Sequence, residues 1–336
     1  MGPLLGVILS AIGIKMPELV LAAIKPLGLS ATAAALFLTG VILSARKLQI
    51  NTMVITSTIA KLLIQPAIAW GIVLLFGLHG SVAITAILMI ALSAGFFGVA
   101  WARELQRRGV TPDIVSGLSI GAYPAAVMAG ALEFTDALKL VALRGDLMEQ
   151  AYPHGYGLTA IMGLTLSQVE LLIEGTGTYI ANLNAETQIV IAGSDEGMAQ
   201  VAERALAKGA SKAKRLAVSV PSHCALLADP AQKLVAAFES VTLSRPRCAY
   251  LSGSTGRVLW QPEKIADDLA MNMARTVRWQ EAVISANERD ARLAIEMPPG
   301  GVLTCLTRQA AWEGESISLE RSGVDVAVHL AGRLQR

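Results

Sequence analysis

Apolar residues run almost unbroken through the first hundred positions of the chain and alternate with polar ones after that. Leu27–Ser44 and Ser81–Trp101 carry no charged side chain, and Met53–Leu78 carries one, Lys61. About 20 apolar residues in a helix cross a bilayer core of ~30 Å. The pattern therefore predicts transmembrane α-helices over these three stretches, with Pro3–Ile14 as the end of another. From Gly98 the period changes. GVAWARELQRRGV predicts a helix with one apolar and one basic face. TPDIVSG predicts a short strand running into a helix over GLSIGAYPAAVMAGAL, and FTDALKLVALRGDLMEQA predicts a second helix. KRLAVSVPSHCALL reads as a strand-like run that ends at His223.

Charge sharpens the division. Residues 1–100 hold six charged side chains, and the following 236 residues hold the other 48. Two compositions meet near Gly98, which divides the chain into a membrane-helical segment, 1–98, and an α/β domain, 99–336. The alternative for the first segment is a set of buried helices in a large soluble core. Arg46 and Lys47 lie between the first two long stretches and Arg103, Arg107 and Arg108 follow the third, whereas Gly77–Gly80 has no Lys or Arg. This asymmetry predicts an inner-membrane protein with residues after Arg103 in the cytoplasm, or a cytoplasmic protein if the segment does not insert. Lys61, with Gln65 and Pro66 nearby, marks either a transport path or a side chain that snorkels to the interface. A net charge of +2 gives no reason to expect nucleic acid. Cys224, Cys248 and Cys305 have neither disulfide-framework nor zinc spacing, which points to a reducing compartment and no metal. The N-terminus lacks the basic region of a signal peptide.

The candidate chemistry begins at Gly117-Leu118-Ser119-Ile120-Gly121, which fits G-x-S-x-G. In such an elbow the serine sits on a sharp strand-to-helix turn, and side chains at the flanking glycine positions are expected to clash where the backbone doubles back. The hydroxyl is then presented at a helix N-terminus, where backbone N–H groups stabilise an oxyanion. Of the four histidines, 79, 154, 223 and 329, His223 is the one that follows a hydrophobic run and a proline. His154 reads as a loop residue near the cleft. Cys224 reads as packing, because neighbours on an extended segment point oppositely. Asn182 and Asn184 read as shaping the small subdomain and its edge of the cleft.

With GTGTYIANLNAETQIVIAGS, YLSGSTGRVLW, NMARTVRWQEAV and AIEMPPGGVLTCL, these stretches resemble in order and spacing the malonyl-CoA:acyl-carrier-protein transacylase family. Within it they look most like the epsilon subunit of malonate decarboxylase. The resemblance covers roughly 99–336. It implies a truncated acyltransferase fold with a mostly parallel sheet and a ferredoxin-like small subdomain inserted at about 153–219. It also implies a ping-pong transfer of malonyl from malonyl-CoA to the prosthetic-group thiol of an acyl-carrier protein, with no cofactor. Other malonate decarboxylase subunits are implied as further partners. Ser119 matches the nucleophile, His223 its base and Arg144 the grip on the malonate carboxylate. The Ile120 N–H matches an oxyanion donor. Asn272 stands where the fatty-acid enzymes have a glutamine thought to orient the histidine, and its shorter side chain is expected to do the same.

Two departures mark the elbow: Leu118 stands where the transacylases usually have His and Ala122 where they have Glu. The family's opening strand and Gly-Gln-Gly-type loop, source of a second oxyanion donor, find no counterpart here. In their place LGVILSAIGIKMPE, AALFLTGVILSAR and MIALSAGFFG resemble the C-terminal part of auxin-efflux-carrier-like transporters, which include malonate transporters. Competing readings are a membrane transport fragment with a passive tail, an inactive fusion of two malonate genes, and a serine hydrolase of the α/β-hydrolase type.

Overall fold

The computed structural model of the protein describes residues 94–152 and 154–334. The predicted membrane stretches Leu27–Ser44 and Met53–Leu78, and Ser81–Trp101 up to residue 93, lie outside the described residues. Among the described residues no helix is long and apolar enough to cross a membrane. The end of the third stretch differs from the hydropathy reading. It forms part of α1 (Ala94–Arg107), which runs without a break through the change in composition at Gly98. Val99 on this helix is buried in the main core, and Leu105 packs with Ile317, Leu319 and Ala327. Arg107 pairs with Glu104 on the outer face.

The chain next enters β1 (Ile114–Ser116), makes one 3-10 turn over Ser119–Gly121, and continues as α2 (Ala122–Met128) and α3 (Phe134–Ala151). Every side chain from Ala122 to Val127 is buried. Such a helix has no polar face, so it must lie inside the fold. It forms one cluster with Leu138 and Val141 of α3 and with Leu234, Leu269 and Met273 from later in the chain.

Residues 156–215 form the small subdomain, β2 (Tyr156–Met162), α4 (Leu166–Ile173), β3 (Tyr179–Ala185), β4 (Gln188–Ser194), α5 (Asp195–Ala207) and β5 (Lys212–Arg215). The strand order β3-β4-β2-β5, with every pair antiparallel, is the ferredoxin-like arrangement. Alternation along the strands separates two packing faces. Ile161, Ile189 and Ile191 meet Met198 and Val201 beneath the helices. Leu158, Ala160, Val190 and Ala192 line the other face, against Cys224. The sheet thus packs directly on the segment that carries His223.

The chain returns through α6 (Ala228–Phe238), β6 (Ala249–Leu251), β7 (Val258–Leu259), α7 (Pro262–Met271) and α8 (Trp279–Asn287). β6 pairs in parallel with β1, Ser116 opposite Leu251, and β7 runs antiparallel to β6. A second parallel pair, β8 (Leu293–Glu296) with β9 (Glu315–Ser318), stands apart and flanks α9 (Val302–Gln309). The mostly parallel sheet of the sequence reading is therefore, among the described residues, two separate parallel pairs with one antiparallel edge. Between α7 and α8 the chain zips onto the small subdomain: Leu183 N–H donates to the Val277 carbonyl at 2.7 Å, and Val277 N–H to that of Ala181 at 2.8 Å.

Candidate active site

Ser119 sits between β1 and α2 with φ of 56°, a left-handed conformation that non-glycine residues adopt at a cost of order 1–3 kcal/mol. Gly117 makes the turn possible, since a Cβ there would fall on the Gly121 carbonyl. The expectation that both glycines are needed for space does not hold. Gly121 has φ of −62° and nothing within 4 Å of a Cβ. Ile120 follows Ser119 in the turn at the N-terminal end of α2, where N–H groups lack intrahelical partners.

His223 is 104 residues further on and 2% exposed. Its φ of 66° is also left-handed, and its N–H donates to the Met273 carbonyl at 2.7 Å. The ring lies between two partners, with Nε2 2.7 Å from Ser119 Oγ and Nδ1 2.8 Å from the backbone carbonyl of Asn272. A carbonyl oxygen only accepts, so Nδ1 carries the proton and Nε2 is left as the acceptor for the serine hydroxyl. Burial, and then the Arg144 charge, push the imidazole down to about 4, against the pull of the neighbouring backbone carbonyls. The ring is neutral near pH 7 and able to take a proton from Ser119.

The Asn272 side chain does not orient the histidine, contrary to the sequence expectation. The residue closes α7 in a 3-10 turn that aims its main-chain carbonyl at the ring, while Oδ1 and Nδ2 are both buried without a hydrogen-bond partner. A backbone contact leaves no mark on residue identity, so no sequence signal distinguishes the two.

Arg144 reaches the same serine from α3. One terminal guanidinium nitrogen donates to Ser119 Oγ at 3.3 Å. The residue is 5% exposed, no carboxylate pairs with it among the described residues, and its Nε has no partner. Burial lowers its pKa, with the Tyr123 phenolic oxygen acting the other way. A buried unpaired cation is costly, and a guanidinium has the geometry to hold a carboxylate through two parallel hydrogen bonds.

The remaining candidates fall elsewhere. Cys224 is buried, donates from Sγ to the Pro221 carbonyl at 3.2 Å, and is pushed up to about 11 by burial. His154 is exposed and joins no contact at the site. Asn182 and Asn184 are buried on β3, each with Oδ1 unpartnered. Among the described residues no group of His, Cys, Asp and Glu is disposed to hold a metal ion.

A serine on a strand-to-helix elbow, a neutral imidazole at its hydroxyl and a buried guanidinium beside both define a serine-dependent acyl-transfer centre. The chain belongs to the acyl transferase domain family, whose model matches residues 36–336. The match begins well before Gly98, so it takes in the end of the first and all of the other two stretches that hydropathy alone assigns to a membrane. Malonyl CoA-acyl carrier protein transacylase of Haemophilus influenzae is 34% identical over 236 residues, which cover 69% of this chain and 75% of that protein. FabD of Acinetobacter baumannii superposes with a TM-score of 0.72 at 26% identity, over 82% of this chain and 93% of its own. A malonyl-transacylase solved in complex with its type II polyketide acyl-carrier protein has a TM-score of 0.63 and 32% identity, over 71% of this chain and 75% of its own.

Proposed function

We propose that this site moves a malonyl group from malonyl-CoA to the thiol of an acyl carrier protein, making the enzyme an acyl-carrier-protein S-malonyltransferase. The observation that carries this reading is Arg144, a buried cation without a counter-charge among the described residues, whose guanidinium touches the nucleophile's oxygen. A neutral acyl group would leave it unanswered. The free carboxylate of a malonyl group, held there, sets the thioester carbon within reach of Ser119.

Ser119 Oγ attacks the thioester carbonyl as its proton passes to His223 Nε2. The Ile120 N–H receives the developing oxyanion. The C–S bond breaks, the thiolate takes the proton from Nε2, and malonyl remains as an ester on Ser119. The carrier thiol then yields its proton to Nε2, its sulfur attacks the ester, and Ser119 recovers the proton as the C–O bond breaks. The Asn272 carbonyl holds Nδ1–H throughout and so keeps Nε2 facing the serine. No cofactor enters these steps. We assign the reaction to malonate decarboxylation, with a carrier subunit bearing a CoA-derived prosthetic group, on the strength of Leu118 and Ala122 at the elbow, two departures from the transacylases that fit the resemblance to the malonate decarboxylase epsilon subunit.

Radiolabelled malonyl-CoA tests the reading. Label retained on the intact protein and absent from Ser119→Ala is expected; equal label on both proteins sinks it.

A further inference from the structure

One buried carboxylate has no place in these steps. Asp268 on α7 is 2% exposed and forms no salt bridge among the described residues. Three neutral hydroxyls converge on it. Ser252 and Ser254 each donate to Oδ1 at 2.6 Å, and Tyr250 donates to Oδ2 at 2.9 Å. Burying a carboxylate without a cation is expensive, so a group kept this way must be answered by hydrogen bonds.

The two serines flank Gly253, in the YLSGSTGRVLW stretch that the transfer steps leave unused. Gly253 backs directly onto the elbow, since a Cβ there would stand 3.1 Å from the Gly117 carbonyl oxygen. Its own carbonyl accepts from Arg278 N–H at 2.6 Å, and the Ser116 hydroxyl donates to the Leu251 carbonyl at 2.9 Å. The Ser252–Ser254 turn is therefore clamped from behind by Asp268, and at Gly253 it lies close against the peptide that starts the nucleophile turn.

We propose that Asp268 is a positioning residue for Ser119, acting through the Ser252–Gly253–Ser254 turn that supports Gly117. Ser119 is held in a strained conformation, and a strained residue keeps its place only where its surroundings over-determine it. The inference rests on Ser119 being the nucleophile. Its action divides by atom, since Oδ1 serves the turn and Oδ2 serves Tyr250 on β6.

The test compares kcat and KM per folded molecule for Asp268→Asn, for Ser252→Ala combined with Ser254→Ala, and for Tyr250→Phe. For the first two, kcat is expected to fall about tenfold or more with KM for malonyl-CoA within about twofold, because a displaced nucleophile slows chemistry without weakening binding. Tyr250→Phe is expected to lower melting temperature but keep kcat within about twofold. A double-serine variant with wild-type kcat, or a Tyr250→Phe variant that loses as much as Asp268→Asn, overturns the proposal. If Asp268→Asn does not fold, the double-serine variant decides. Wild-type enzyme is labelled with malonyl-CoA alongside. Its failure would refute the malonyl reading alone, and the rate of Ser119 phosphonylation by a fluorophosphonate then reads the same contrast.

Discussion

The imidazole of His223 is held through Nδ1 by the main-chain carbonyl of Asn272 at 2.8 Å, where many serine enzymes use a carboxylate. A neutral carbonyl fixes the tautomer but adds no charge to stabilise the imidazolium.

Asn272→Ala is accordingly expected to be mild, because the contact survives in the backbone. Steady-state kcat should stay within about threefold of wild type, whereas His223→Ala should lose about 10³-fold or more. Two buried polar atoms without partners also disappear in Asn272→Ala, which offsets part of the cavity it leaves. A loss as deep as that of His223→Ala would show that the side chain does the orienting.

Arg144→Lys is expected to separate charge from geometry. The ammonium keeps the positive charge but loses the two parallel hydrogen bonds, so kcat/KM for malonyl-CoA should fall about 10²-fold. Turnover of acetyl-CoA, which has no free carboxylate, should change far less. Equal losses on both thioesters would remove the carboxylate role.

Acid acts on the enzyme through His223. Its folded pKa of about 4 lies below the ordinary imidazole value of 6.5, so the folded state resists the proton that the unfolded state accepts. Stability from this group is fully present above pH 6.5 and is lost as pH falls from there to about 4, by roughly 3 kcal/mol. Chemical denaturation at pH 7 and pH 4.5 should show the difference in wild type and a smaller one in His223→Gln. In the free enzyme the acid limb of kcat/KM should lie near pH 4 rather than pH 6.5.

The two glycines of the elbow should behave differently. Gly117→Ala places a methyl group on the Gly121 carbonyl and is expected to abolish labelling of Ser119. Gly121→Ala meets open space at a helical φ and should retain at least half of wild-type activity. Loss of labelling in both variants would mean that the turn has no slack at either end.

The elbow was legible in the sequence because its determinants are local. A short strand, a serine between two glycines and an apolar helix fall within fifteen residues, and their order dictates a tight turn. The amphipathic character of α1 was equally local. His223 and Arg144 were found by resemblance to a family, since nothing near either residue says that it will meet Ser119, 104 and 25 residues away. Tertiary packing alone decided the rest. It brought a backbone carbonyl rather than the Asn272 amide to the imidazole, left Gly121 unneeded for space, and gathered Tyr250, Ser252 and Ser254 on Asp268. The physical reason is that a main-chain acceptor is the same for every residue type, and a buried charge is affordable only where distant segments converge to answer it.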